Sequence, residues 1–126
     1  MYKKMIHHCE AALPYEACGF LTGLNGMGGR AWPISNLETN FHSFEMKQEE
    51  VVNLSNRLGD GDEQITAIYH SHPTSIAYPS PMDILFAPDG DIAYIIVSFL
   101  YSYPQVKCFY IHNKKVNQLS LQIIDH

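Results

Sequence analysis

The sequence predicts an α/β domain in which a mixed β-sheet is flanked by helices. Three observations lead there. Segments of helical period alternate with strand-like runs in the order helix, two strands, helix, strand, short helix, three strands. The run Ile92–Phe99 is almost continuously apolar, as expected of a central strand covered on both faces. The 126 residues, 46% hydrophobic and 12% aromatic, leave room for one core, so residues 1–126 are expected to form a single domain.

Each element has its own signal. Lys3–Leu13 carries apolar residues at Met5, Ile6, Cys9, Ala12 and Leu13, a helical stripe that Pro14 stops. Ala17–Leu24 reads as a strand, and Asn25-Gly26-Met27-Gly28-Gly29 as the turn into a second strand near Arg30–Asn36. Those glycines are not read as a phosphate loop, because no Lys-Ser/Thr follows them. The polar stretch Leu37–Ser43 is expected to loop. Lys47–Leu58 reads as a second helix with Val51, Leu54, Ser55 and Leu58 on one face, closed by Gly59-Asp60-Gly61-Asp62. The acidic residues there lack the spacing of a calcium loop. Ile65–His70 is a strand, and Ser80–Phe86 a short third helix with Ser at its cap and Pro at its first position. Val106–His112 and Val116–Ile124 alternate in polarity and form a predicted hairpin turning at Asn113-Lys114.

Composition excludes several function classes. A net charge of −5 argues against a nucleic acid or an anionic membrane as partner, since both require a basic face. The run Ile92–Leu100 is far too short to span a bilayer, and Met1–Glu10 has no apolar stretch of signal-peptide length. Cys9, Cys18 and Cys108 form an odd set without a C-x-x-C pair, which fits reduced buried thiols in a cytoplasmic protein.

The most specific chemistry lies in His70-Ser71-His72-Pro73, followed by Ser80 and Asp83. On a strand, positions i and i+2 share a face, so His70 and His72 present two imidazoles side by side. Pro73 enforces a turn, and Asp83, in the first turn of the next helix, can face back toward the strand end. Two imidazoles, one carboxylate and an open fourth position form the ligand set of a catalytic zinc. Simpler readings stand beside it. Such a histidine pair can be hydrogen-bonded or exposed, Ser80-x-x-Asp83 is also a capping box, and a first-turn Asp suits the helix dipole.

The pattern His-Ser-His-Pro, six residues, Ser, two residues, Asp resembles the signature of the JAMM (MPN-plus) metallopeptidases. That family also needs an upstream glutamate in a strand opening of the type Glu-x-x-Gly-x-Leu-x-Gly, which the segment from Glu16 to Gly23 matches. The likeness extends from about Met1 to the strand after Asp83. It implies a cytidine-deaminase-like α/β/α sandwich, although the deaminase pattern His-x-Glu with Pro-Cys-x-x-Cys is absent. It also implies Zn2+ held by His70, His72 and Asp83 with a water of lowered pKa, and Glu16 as proton shuttle on a neighbouring strand. Ser80 is expected to donate its hydroxyl to the developing oxyanion, a role compatible with capping. Cys18, two residues after Glu16, could be imagined as a thiol nucleophile, but a buried strand cysteine is the favoured reading. His7, His8, His42, His112 and His126 show no ligand spacing and are read as surface or satisfied histidines.

JAMM proteins this small resemble prokaryotic members acting on ubiquitin-like or sulfur-carrier proteins. The implied reaction is cleavage of an amide or isopeptide bond after a C-terminal Gly-Gly, including carrier–cysteine adducts, and a narrow groove beside the zinc would suit such a tail. Two alternatives have their own signatures. A non-catalytic MPN scaffold is disfavoured by the complete ligand set. A RadC-like, DNA-repair-associated protein is disfavoured by Ser71, the short N-terminal region and the acidic charge. Oligomeric state and the identity of the carrier are not legible.

Overall fold

The computed structural model describes residues 1–24, 27–87 and 92–121. The elements follow the expected order: α1 (Tyr2–Ala12), β1 (Cys18–Leu24), β2 (Met27–Ile34), α2 (Gln48–Leu58), β3 (Gln64–His72), α3 (Pro81–Phe86), β4 (Ala93–Ser98), β5 (Gln105–His112) and β6 (Lys115–Leu119). The six strands form one mixed sheet in the order β2-β1-β3-β4-β5-β6. β3 and β4 run parallel, while the β1–β2, β1–β3, β4–β5 and β5–β6 pairs are antiparallel. The apolar run of β4 is thus central, between the parallel β3 and the antiparallel β5.

The two faces of the sheet bury separate cores. Under α1, Met5 and Cys9 meet Leu21, Ala67, Tyr69, Ile95 and Val97. On the opposite face, Leu54 of α2 joins Phe20, Ile68, Tyr94, Ile96 and Phe109, with Ile84 of α3 packed against them. Period-2 alternation therefore sends Tyr69 and Ser71 toward α1, and His70 and His72 toward α2 and α3. The α1 face is tight at one point. Gly19 stands opposite Tyr69 in the β1–β3 register, and a Cβ at Gly19 would run into the fully buried Tyr69 ring.

Local chemistry explains the ends of the elements. α1 stops before Pro14, and Gly59 closes α2 in the left-handed region at φ 51°. The β5–β6 turn places Asn113 and Lys114 at φ 49° and 62°, the left-handed pair required by a tight two-residue hairpin. Pro33 is tolerated because β2 is an edge strand.

Several boundaries differ from expectation. β3 continues through His72, because parallel pairing with β4 carries the ladder to His72↔Ser98. β2 begins at Met27 and ends at Ile34, so Met27-Gly28-Gly29 of the expected turn belong to the strand, while Asn25 and Gly26 lie outside the described residues. β6 ends at Leu119, and the last part of its expected range, from Gln122, also lies outside them. On the helices, Leu13 and Ser55 are exposed rather than on the buried stripes. No described helix is long and apolar enough to cross a membrane.

Candidate metal centre and active site

The site forms where the C-terminal end of β3 meets the start of α3. Ser80 caps α3 with its hydroxyl accepting from the Asp83 N–H at 3.1 Å, and the Ser80 N–H returns a bond to Asp83 Oδ2 at 2.8 Å. This is a complete capping box with Pro81 at the first helical position. The box does not compete with ligation. It aims the same carboxylate oxygen at the histidines, with Asp83 Oδ2 3.0 Å from His70 Nε2 and 3.2 Å from His72 Nε2. The two Nε2 atoms are 3.1 Å apart. A tetrahedral zinc with bonds of about 2.0–2.1 Å sets its donors about 3.3 Å apart, so this triangle fits the ion.

The orientation of each imidazole has a cause. The Nδ1 of His72 donates to the Ile76 carbonyl at 2.8 Å, which leaves Nε2 as the lone-pair atom facing Asp83. His70 is fully buried, and its Nδ1 has no partner among the described residues. Packing holds its ring instead, with the Phe44 ring centroid 4.9 Å away and Tyr94 edge-on at 6.2 Å. Phe44, from the loop before α2, was not singled out by sequence reasoning. Nothing local in the chain points from it to His70.

Electrostatics favour a cation. Burial pushes the His70 imidazole below its ordinary value, so it stays neutral and free to ligate. Burial also lowers His72, but the bonds its protonated ring would make to Asp83 and the Ile76 carbonyl outweigh it and the net shift is upward. Asp83 is buried, which opposes its charge, yet the two histidines hold it well below the usual carboxylate range.

Glu16 is buried at 5% exposure, and it presents a ligand atom within 4.8 Å of those of His70 and His72. Of the two possible groupings, the His70–His72–Asp83 set is the tighter. Burial, aided by the Asp83 charge and opposed by His72, pushes the Glu16 carboxyl up to about 7. Contrary to the expected placement on a strand, Glu16 lies two residues ahead of β1. The chain leaves the ladder there because the Ala17 N–H donates to the Ser71 hydroxyl at 2.8 Å. A cavity of about 370 Å3 opens beside it, with Tyr15, Asn36, Glu38 and Thr39 in its lining. His8 is also in that lining, but His70, His72 and Asp83 are not, so the cavity is not itself the metal pocket.

The other candidates fall away from this centre. Cys18 is fully buried, and burial pushes its thiol up to about 12, which removes it as a nucleophile. Cys9 and Cys108 are likewise free and buried. His8 bonds the Tyr69 hydroxyl at 2.7 Å, whereas His7, His42 and His112 are exposed; His126 lies outside the described residues.

Fold and centre together define a JAB/MPN-type domain, and comparison with known proteins agrees. The family of prokaryotic homologs of the JAB domain matches residues 1–111, and the chain belongs to this small prokaryotic JAMM/MPN family. Among curated proteins, it is 34% identical over 96 residues to the CysO-cysteine peptidase of Mycobacterium tuberculosis. That match covers 75% of this chain and 66% of the relative, just under two thirds of its length. Among solved structures, a protein from Desulfitobacterium hafniense is similar at TM-score 0.88 and 28% identity, over 99% of this chain and 89% of that one. A JAB1/MPN domain protein from Archaeoglobus fulgidus shares the fold at TM-score 0.67 and 19% identity, covering 98% and 93% of the two chains.

Proposed function

We propose that this chain is a zinc-dependent peptidase that cleaves the amide or isopeptide bond after the C-terminal Gly-Gly of a ubiquitin-like or sulfur-carrier protein, with a carrier–cysteine adduct as the leading substrate. One observation carries the reading: His70 Nε2, His72 Nε2 and Asp83 Oδ2 converge within 3.2 Å, with a buried glutamate alongside. His70, His72 and Asp83 would hold the ion. Zinc in such a set supplies Lewis-acid activation of water and of the scissile carbonyl.

The chain's own residues supply the rest. Glu16 takes the proton from the attacking water and returns it to the leaving amine, and its buried carboxylate beside the histidine pair suits both halves of that exchange. The Ser80 hydroxyl oxygen accepts the Asp83 N–H, so its proton is available to a developing oxyanion. The name of the mycobacterial relative supports a cysteine adduct as substrate. The complete ligand set disfavours a metal-free scaffold, and the net charge of −5 disfavours nucleic acid. We place the protein in the cytoplasm, where buried reduced thiols are expected, and treat residues 1–126 as one domain.

The test is incubation with carrier proteins ending in Gly-Gly and bearing cysteine, a lysine side-chain link or a peptide, with products read by mass spectrometry. Release of the free carrier with one zinc per chain is expected. A zinc-loaded protein that leaves all three adducts intact refutes the proposal, and zinc retained at full occupancy in His70→Ala/His72→Ala refutes the ligand set.

A further inference from the structure

We infer that Asn36 and Ser71 are positioning residues that clamp the peptide unit between Glu16 and Ala17, and so fix where the Glu16 carboxylate stands beside the histidine pair. The inference rests on Glu16 being the proton shuttle. A peptide unit has one carbonyl and one N–H, and here side chains hold both. The Glu16 carbonyl accepts from Asn36 Nδ2 at 2.9 Å, and the Ala17 N–H donates to Ser71 Oγ at 2.8 Å. The Ser71 N–H then donates to the Ala17 carbonyl at 3.0 Å, so Ser71 grips Ala17 twice. Because the unit is planar, holding both of its sides fixes the torsions flanking it and thus the direction of the Glu16 side chain.

Ser71 cannot reach the metal centre itself. It lies between His70 and His72 in β3, and alternation turns its hydroxyl to the α1 face, where it is fully buried. It acts through Ala17. Its hydroxyl takes the place that a main-chain carbonyl would hold in a continued antiparallel ladder, which lets Glu16 leave the sheet at the level of the histidines.

Asn36 has a wider reach. Its Oδ1 accepts the Glu38 and Glu45 N–H groups, both at 2.9 Å, and its Nδ2 also reaches the Ser43 carbonyl at 3.4 Å. All four hydrogen-bonding capacities of the amide are used. They close the 37–45 loop, whose Phe44 lies against the His70 ring. One amide thus ties the base and a wall of the metal site to the same point.

The test uses three variants of the full chain, read by amide exchange in the metal-free protein and by steady-state kinetics of the zinc-loaded protein on a Gly-Gly carrier–cysteine adduct. Ser71→Ala should accelerate exchange at Ala17 while Glu38 and Glu45 stay protected. Asn36→Ala should release Glu38 and Glu45. Asn36→Asp keeps the oxygen acceptor but loses the donor to Glu16. It should lower kcat by about 10–100-fold with KM and zinc content little changed, the scale expected for a misplaced catalytic group. In a Glu16→Gln background Asn36→Asp should cost little more, because the group it positions is gone; a merely structural role would subtract the same factor in both backgrounds. Unchanged Ala17 exchange in folded Ser71→Ala, or full kcat in folded Asn36→Asp, overturns the inference. If the wild type leaves the adduct intact, the proposed function fails, while the exchange data still decide the clamp.

Discussion

Gly19→Ala should destabilise this protein far more than a Gly→Ala change in a strand normally does. The added methyl meets two Tyr69 ring carbons and the Tyr69 hydroxyl at once. The ring has nowhere to go: it is fully buried under α1 and tethered through its hydroxyl to His8 Nδ1 at 2.7 Å. Overpacking of a closed core typically costs about 1–3 kcal/mol. Breaking the His8–Tyr69 bond costs about 0.5–1.5 kcal/mol more, while Ala in place of a strand Gly returns about 0.5–1 kcal/mol. The net is about 0.5–4 kcal/mol, centred near ~2, and the central value is about 6–12 °C in Tm for a domain of this size. Thermal unfolding of the metal-free protein, followed by circular dichroism, measures it without a contribution from ligand binding. Tyr69→Leu provides the control, because the smaller side chain makes room for the methyl, so the double variant should cost less than the sum of the singles. A Gly19→Ala protein as stable as the wild type, or singles that add within about 0.5 kcal/mol, would show that the close approach is not what Gly19 serves.

Glu16→Gln should lower turnover by about 10²–10⁴-fold while zinc content stays constant, as measured by kinetics and elemental analysis. In the metal-free protein the same variant should also gain stability over the wild type with pH. The folded Glu16 titrates near 7 against 4.5 when unfolded, so wild-type stability falls as pH rises through that window. Denaturant titrations at acid and neutral pH measure the gap, and a gap independent of pH contradicts it. Ser80→Ala should cost about 0.5–2 kcal/mol through the lost cap, and should lower kcat by about 10²–10³-fold if the hydroxyl also meets the oxyanion. An active, folded Ser80→Asp protein would reduce Ser80 to a helix cap. Thiol reagents should label native Cys9, Cys18 and Cys108 slowly and unfolded protein rapidly, since all three are buried and burial raises their pKa values. Fast labelling of the native state counts against the described core.

Most of the candidate metal set was legible because it is local. His70 and His72 are two residues apart on a strand, and Ser80 and Asp83 open one helix, so periodicity and capping rules place them before any tertiary contact is known. The same locality explains the clear helix stop at Pro14, the hairpin at Asn113-Lys114 and the central position of β4. Glu16 is different. It stands 54 residues before His70, and no spacing rule links the two. Only its family resemblance marked it in the sequence.

What the sequence determined by itself, then, is which side chains share a face and which elements follow one another, because backbone sterics and side-chain period act over a few residues. What only the tertiary structure decided is the register that sets β1 beside β3, with Cys18 facing His70. That register brings Glu16 to the histidines and delivers Ala17 to Ser71. It explains why Ser71, beyond the expected strand Ile65–His70, holds the peptide that follows Glu16, and why Asn36, in a segment that reads as an ordinary strand end and loop, satisfies four partners at once. Hydrogen bonds between residues far apart in the chain form only once the sheet has paired, and their partners are chosen by geometry that no single segment contains.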